Sequence, residues 1–505
     1  MASPQPKGFN MNEQPRISTH LTKGALIAGQ WHDGSAGTFD VNSPHDGRVL
    51  HKVGRCNAAD VAKAVAAARA AQPAWAALSV IERAQIMRRI HALFLERAEA
   101  MSQMLTAEIG KTITDAREEV FEYTAPSWSK AAEEILRHRG LSFPSTQERT
   151  RNKRLVMTHR PLGVVAVITP YNFPTDISSI ALAHIVASGN TVIWKPSEYA
   201  AVVCAMMGDI FQAAGLPDGV INIVQGLGDV GAALTEAKGV DGVFFTGSTA
   251  TGRKIAEKCA LRPHLLELGG DGPFIILADA DIDKAVEGAI NGCFYYSGQV
   301  CTSAERLLVH EAVHDEFVEK FMQRARQLKI GNPADEATEM GPLCNAATLA
   351  RVKAHVEDAR ANGAQIEQIG PQEGLYYPAT ILTGVTTDML IAREETFGPV
   401  APIIKISSAD EAIRIAHQTG LGLIASLWTR DLATAWQVGE ALPHGSVNIN
   451  ETSNYWDQLA PFGGTGLSGV GRELSQWFLE TFTERKLLVF DLGNDPYNRR
   501  AEGGW

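Results

Sequence analysis

The 505-residue chain has no long apolar run. Its longest stretches, such as GVVAVI, are strand-sized, far below the roughly 20 residues that a membrane helix needs. The opening MASPQPKGFNMNEQPRISTHLTKG is polar and holds no apolar signal segment, so a loose arm is expected to about residue 20. Cysteine is scarce. The six present (Cys56, Cys204, Cys259, Cys293, Cys301, Cys344) form no CxxC pair, no framework spacing and no His/Cys cluster. This speaks against a disulfide scaffold and a metal site, and suggests reduced thiols in a cytoplasmic setting. Positive charge is also in deficit, with 46 Lys and Arg against 57 Asp and Glu for a formal charge of −11. Nucleic-acid binding wants a basic footprint, so neither nucleic acid nor membrane is an expected partner.

What remains is an ordinary globular composition, 45% hydrophobic and 20% charged, with length for two or more domains. Up to about residue 140 the pattern is mainly helical, as in AADVAKAVAAARAAQPAWAAL, with apolar residues every three to four positions. RTRNKRLVMTHRPLG then reads as a charged ribbon or edge hairpin. Strands and helices alternate afterwards. GVVAVIT, TVIWKP, VINIVQG and GVFFTGS are separated by helical stretches, and a second alternating block runs from about 267 to 450. Such alternation predicts an α/β fold with parallel sheets, whose ligands sit at the carboxyl ends of the strands. RKLLVFDLG is one more strand, followed by a polar tail.

Several short motifs carry chemistry. VINIVQGLGDVG places Gly226, Gly228 and Gly231 as G-x-G-x-x-G after a strand. The acidic residue that a dinucleotide fingerprint wants some 20 positions on is missing, so this reads as a turn. FFTGSTATG is the better phosphate cradle: a strand ends at Thr246, turns through Gly247 and Ser248, and opens a helix carrying Gly252. WKPSE sets Lys195 and Glu198 past another strand end, able to hold ribose hydroxyls, with the carboxylate disfavouring a 2′-phosphate. HLLELGG puts Glu267 in an apolar segment, where a raised pKa suits a general base. GQVCTSAER isolates Cys301 in a short polar setting, and TPYNFPTD offers Asn172 as a fixed amide donor. No histidine stands near Cys301 in sequence, which disfavours a Cys-His hydrolase.

Taken in order, TPYNFP, WKPSE, FTGSTATG, ELGG, GQVCTSAER, EETFGPV and PFGGTGLSGVGRE resemble the aldehyde dehydrogenase superfamily over about residues 25 to 490. The resemblance implies an aldehyde dehydrogenase-like fold, a Rossmann-type cofactor domain plus an α/β catalytic domain. Residues 21–143 and 161–266 would form the cofactor domain and 267–450 the catalytic domain. A β-arm for homo-oligomerisation would combine 144–160 and 484–493, and 451–483 would return to line the substrate channel. Cys301 would attack the aldehyde, Asn172 and the Cys301 backbone N–H would hold the oxyanion, and Glu267 would activate the hydrolytic water. NAD, favoured over NADP, would lie over Thr169, Lys195, Ser197, Glu198, Gly247, Ser248, Gly252 and Leu268. Glu395 would then sit on the nicotinamide ribose, with Phe397 beside the ring. Glu473 would belong to a proton path.

That path is unusual here, because Ala181 and His184 stand where many members carry Lys and Pro. Asp271 likewise replaces a common Lys, and Thr465 a common aromatic. By motif position the acyl pocket is expected from Tyr171, Ile177, Ile180, Tyr295, Trp456 and Phe462. That wall suggests a medium-sized apolar or aromatic aldehyde, with a semialdehyde or amino-aldehyde as the alternative. A non-catalytic scaffold of the same fold would have lost Cys301, Glu267 or Asn172, and all three are present.

Overall fold

The computed structural model describes residues 17–147 and 150–492. Most of the expected N-terminal arm, residues 148, 149 and 493 of the expected β-arm and the 494–505 tail lie outside the described residues. His20 meets Asp209 at 2.9 Å and Leu21 is buried, so the chain is docked from about residue 20.

Five short apolar runs make the centre of the first sheet. VVAVI (Val164–Ile168) and TVIWK (Thr191–Lys195) are buried along their whole length, the pattern of strands covered on both faces. With Ile221–Val224, Gly242–Thr246 and His264–Glu267 they pair in parallel. Antiparallel Ala25–Ile27 and Gln30–His32 extend one edge, and Gly469–Val470 caps the other. From Val164–Ile168 the chain steps outward through Thr191–Lys195 and Ile221–Val224. It then returns to place Gly242–Thr246 on the opposite side. That reversal opens a crevice at the carboxyl ends, between Ile168 and Thr246, where ligands of such sheets bind.

A second, seven-stranded sheet uses strands between Pro273 and Ile449, all parallel except for the edge strand Gln365–Ile369. A third sheet stands apart. Lys153–Pro161 pairs antiparallel with Thr483–Asp491 over nine residues and with Leu141–Phe143 on its other side. It exposes Leu141, Phe143, Leu487, Val489 and Phe490.

The segment before residue 140 is less purely helical than its periodicity suggests. It includes Thr38–Asn42 and Val49–Gly54 as well as the two edge strands, each too short to impose a readable alternation. Its two long helices are well signalled. Ala58–Ala77 opens on an Asn57/Asp60 capping box and Val80–Ile109 on a Ser79/Glu82 box, the latter closing at left-handed Gly110. Among the described residues, no single helix is long and apolar enough to cross a membrane.

One buried ion pair ties this helical layer to the site. The Lys111 ammonium donates to the Glu119 carboxylate, both side chains fully buried, and also lies 3.5 Å above the Phe173 ring. Glu119 accepts further from the Thr175 N–H (3.0 Å), the Thr175 hydroxyl (2.7 Å) and the Asp176 N–H (3.2 Å). The loop carrying Asn172 is therefore fastened to the helical layer by charge. Glu119→Ala leaves an uncompensated buried ammonium and is expected to cost about 3–5 kcal/mol of stability. A thermal unfolding midpoint unchanged from wild type contradicts this.

Candidate active site

Cys301 is aimed by a strained turn. Tyr296, Ser297 and Gly298 follow one another with φ of 44°, 55° and 69°. Left-handed backbone at two non-glycine residues persists only when neighbours over-determine it. Here the Tyr296 hydroxyl donates to the Ile109 carbonyl at 3.0 Å and the Ser297 hydroxyl to the Gly341 carbonyl at 2.8 Å. Gly298 has no substitute, since a Cβ would stand 2.1 Å from the Gly398 carbonyl oxygen. Asn172 is locked to the same turn, one amide N–H donating to the Gln299 carbonyl at 3.1 Å. Gln299 in turn accepts the Cys344 N–H at 2.9 Å through its side chain.

Cys301 then opens onto a cleft lined by Phe173, Asp176, Ile177, Ile180, Thr246, Glu267, Leu268, Val300, Thr302, Trp456, Phe462, Glu473 and Leu474. Glu267 reaches it from the last position of the strand His264–Glu267. Its Oε1 accepts the Gly464 N–H at 3.3 Å, and bare Gly463 leaves the room, since a Cβ there would lie 2.5 Å from that oxygen. Glu473 accepts from the Thr246 hydroxyl at 3.3 Å. Burial first, then the Glu473 charge, holds the Glu267 pKa well above the ordinary carboxylate range. Burial likewise pushes Glu473 up to about 8. Cys301 keeps part of its surface open, yet its thiol is raised well above the usual value by desolvation and by Glu267, Glu395 and Glu473. Ionising the thiol and ionising the neighbouring acids therefore oppose one another.

The crevice side holds the residues expected for a dinucleotide. Ser248 caps the helix Thr249–Cys259, accepting the Thr251 N–H, so the helix's remaining first-turn donors face the strand ends. Gly252 packs against Leu268, where a Cβ would meet a methyl at 2.3 Å. Thr169 follows the strand Val164–Ile168, and the Trp194 indole N–H donates to its hydroxyl at 2.9 Å. Lys195, buried, donates to the Pro196 carbonyl at 2.9 Å and meets Glu198 at 3.3 Å, while Ser197 caps the following turn. Glu395 accepts the Gly270 N–H at 3.3 Å, lying where bare Gly269 leaves space, and burial pushes it up to about 8. Phe397, at φ 58°, is held because Glu305 accepts the N–H groups of Thr396 (3.0 Å) and Phe397 (2.9 Å). These groups fit a nicotinamide dinucleotide laid along the strand ends. Gly226 and Gly228, by contrast, serve a turn and the start of the helix Gly228–Glu236.

Two expected pocket residues lie outside the cleft lining. Tyr171 turns away, its hydroxyl between Thr348 (3.2 Å) and Gln299 (3.4 Å) and its ring against Tyr199 and Phe397. Tyr295 stacks behind Phe173 and donates to Glu118 at 3.2 Å. Phe173, Asp176, Val300 and Thr302 line the cleft without having been anticipated there, although all four sit inside or beside the quoted motifs. His184 does not reach it. Its ring donates to the Ile180 carbonyl at 2.8 Å and packs on Phe478, and burial drops its pKa to about 4. Asp271, the replacement for a common Lys, pairs with Arg306 at 2.6 Å, a structural use.

Comparison with known proteins matches residues 31–488 to the aldehyde dehydrogenase family model. The chain belongs to the aldehyde dehydrogenase family. It is similar to the glutarate-semialdehyde dehydrogenase of Pseudomonas putida, 38% identical over 93% of this chain and 98% of that one. It is equally similar to the NADP(+) succinate-semialdehyde dehydrogenase GabD of Escherichia coli, 38% identical over 93% and 98%. The crystal structure of an E. coli NADP dependent enzyme superposes with a TM-score of 0.91 at 37% identity, covering 94% of this chain and 99% of that one. The protein is an oxidoreductase of aldehydes with an aldehyde dehydrogenase fold, in a family that uses NAD(P).

The coupling of the two buried glutamates has a measurable sign. Glu473→Gln removes the like charge that helps to raise Glu267, so Glu267 ionises at lower pH and the basic rise of the activity–pH profile moves to lower pH. A profile that stays in place or moves upward contradicts the coupling.

Proposed function

We propose that the protein oxidises an aldehyde to the free carboxylic acid with NAD(P), through a thioester on Cys301 that Glu267 hydrolyses. The observation that carries this reading is the shared cleft of Cys301 and Glu267, with Asn172 fastened to the Cys301 turn. The Glu267–Glu473 pair, carrying negative charge, takes the thiol proton, and the Cys301 sulfur bonds to the carbonyl carbon. The oxygen, now negative, is held by the free N–H of the Asn172 amide and by the Cys301 backbone N–H. A nicotinamide held by Lys195, Glu198 and Glu395 would supply the hydride acceptor, which would leave the acyl group as a thioester. Glu267, having released its proton toward Glu473, then takes one from the water that attacks the thioester. The C–S bond breaks and the acid leaves. Mutual repulsion between Glu267 and Glu473 favours one shared proton over two negative charges, which suits a relay.

The cofactor reading is NAD(P) without preference, which revises the expectation of NAD. Glu198 would repel a 2′-phosphate, but Lys195 beside it offsets that charge, and a 38% identical relative is named for NADP(+). The substrate reading is revised too. Relatives named for glutarate and succinate semialdehydes favour a short aldehyde with a polar group at its far end over a plain apolar or aromatic one. Asp176, Thr246 and Thr302 among the cleft's apolar walls fit a substrate with a polar end. The exposed apolar strand Thr483–Asp491 supports a β-arm that pairs subunits into a homo-oligomer, and the unpaired cysteines fit a cytoplasmic setting.

The test is reduced-nicotinamide formation from hexanal, benzaldehyde, succinic semialdehyde and betaine aldehyde, with NAD and NADP supplied separately. At least one substrate with a polar end should exceed both apolar ones about tenfold in kcat/KM. Cys301→Ala should lose about 10³-fold or more of turnover. Persistent turnover in Cys301→Ala overturns the mechanism, and preference for hexanal or benzaldehyde overturns the substrate reading.

A further inference from the structure

We propose that Asp176 selects aldehydes whose far end carries a positive charge, an ammonium or quaternary ammonium group. The proposal rests on the aldehyde-oxidising reading above and names the polar end that reading leaves open.

Asp176 is the first residue of the helix Asp176–Ala187, 2% exposed, and lines the cleft together with Ile177 and Trp456. An acidic residue at that position is favoured by the helix dipole, but the dipole does not account for its unsatisfied atom. Its Oδ1 has no hydrogen-bond partner, although buried carboxyl oxygens are nearly always paired. Asp176, which carries this unmet acceptor, lines the same cavity as Cys301. A substrate donor placed there would satisfy it.

The surroundings decide the sign of that donor. No Lys, Arg or His lines the cleft, whose titratable groups are Asp176, Glu267, Glu473 and Cys301. Lys111, close by, is committed to Glu119, and Lys130 acts on Asp176 only from the helix Ala125–Arg137, outside the lining. A distal carboxylate would be desolvated among acids with no counter-charge. A cation would meet Asp176 and the faces of aromatic rings as well. Trp456 lies edge-on to Phe173 at 6.0 Å and 6.3 Å from Phe462, the kind of enclosure that attracts ammonium groups.

The cleft's surroundings have the same character. Tyr123 packs on Trp456 at 5.3 Å. Burial, and then the charges of Glu118, Asp176 and Glu122, push the Tyr123 hydroxyl up to about 12, so these acids crowd one place. Burial, then Glu119 and Glu473, hold empty-cleft Asp176 well above the carboxylate range. A docked cation would favour its ionised form.

The experiment compares betaine aldehyde and 3-aminopropanal with succinic semialdehyde and hexanal, in wild type, Asp176→Asn and Asp176→Leu. Wild type should favour a cationic aldehyde at least tenfold in kcat/KM over succinic semialdehyde. Both variants should lose at least tenfold more kcat/KM for the cationic aldehydes than for hexanal, mainly through KM. A merely structural Asp176 would lower all substrates together, and that result overturns the proposal, as does a wild-type preference for succinic semialdehyde. Should the variants fail to fold, inhibition of wild-type hexanal oxidation decides: tetramethylammonium should compete more strongly than acetate, and the reverse order overturns the proposal. Wild type that oxidises no aldehyde at all sinks the underlying reading, whereas hexanal turnover without cation preference sinks this inference alone.

Discussion

Charge is expensive where water is scarce, and the cleft withholds water from a thiol and three carboxyl groups at once. Glu473 raises the cost of ionising Cys301, Glu267 and Asp176, and Glu267 that of Cys301, because all carry negative charge when deprotonated and no cation stands in the lining. Charge on any of these groups is therefore costly in the empty cleft. In the proposed reaction the negative charge would pass to the substrate oxygen, where the Asn172 amide and the Cys301 backbone N–H would receive it. The same constraint explains why a cofactor bound nearby, carrying a positive nicotinamide, would help to draw out the thiolate.

The fold exists to bring those groups together from distant parts of the chain. Glu267 arrives on the end of a strand in the first sheet, Cys301 on a strained turn leading into the second, Asn172 on a loop pinned by Glu119, and Glu473 from the returning segment. Bare backbone makes the approaches possible. Gly298 passes the Gly398 carbonyl and Gly463 passes the Glu267 carboxyl at distances that no Cβ allows. Glu305, far along the chain from Thr396 and Phe397, holds their N–H groups and so keeps Phe397 beside the crevice.

Much of this was legible in the sequence because strand ends announce themselves. VVAVI, TVIWK and GVFFT are short buried runs followed at once by Thr, Pro-Ser and Gly-Ser, and the motif residues sit at those junctions. The sense in which a side chain turns is less legible. Tyr171 adjoins Asn172, yet its ring faces Tyr199 and Phe397, away from the cleft. Asp176 looked like the start of a helix and nothing more, since its importance depends on an unpaired oxygen that only tertiary packing reveals. The Lys111–Glu119 pair likewise depends on partners up to 57 residues away, as in the Asp176 N–H bond. Ile177, Ile180, Trp456 and Phe462 likewise describe the apolar wall of the cleft, not the Asp176 carboxyl group that belongs to it.

The central claim is that an acyl group is carried on the Cys301 sulfur and released by Glu267. The most direct measurement is intact-protein mass spectrometry of Glu267→Gln after mixing with a turned-over aldehyde and NAD(P). The account predicts one equivalent of reduced nicotinamide and a mass increase equal to the acyl group, located on the peptide containing Cys301. Full steady turnover by this variant, with no adduct on that peptide, contradicts it.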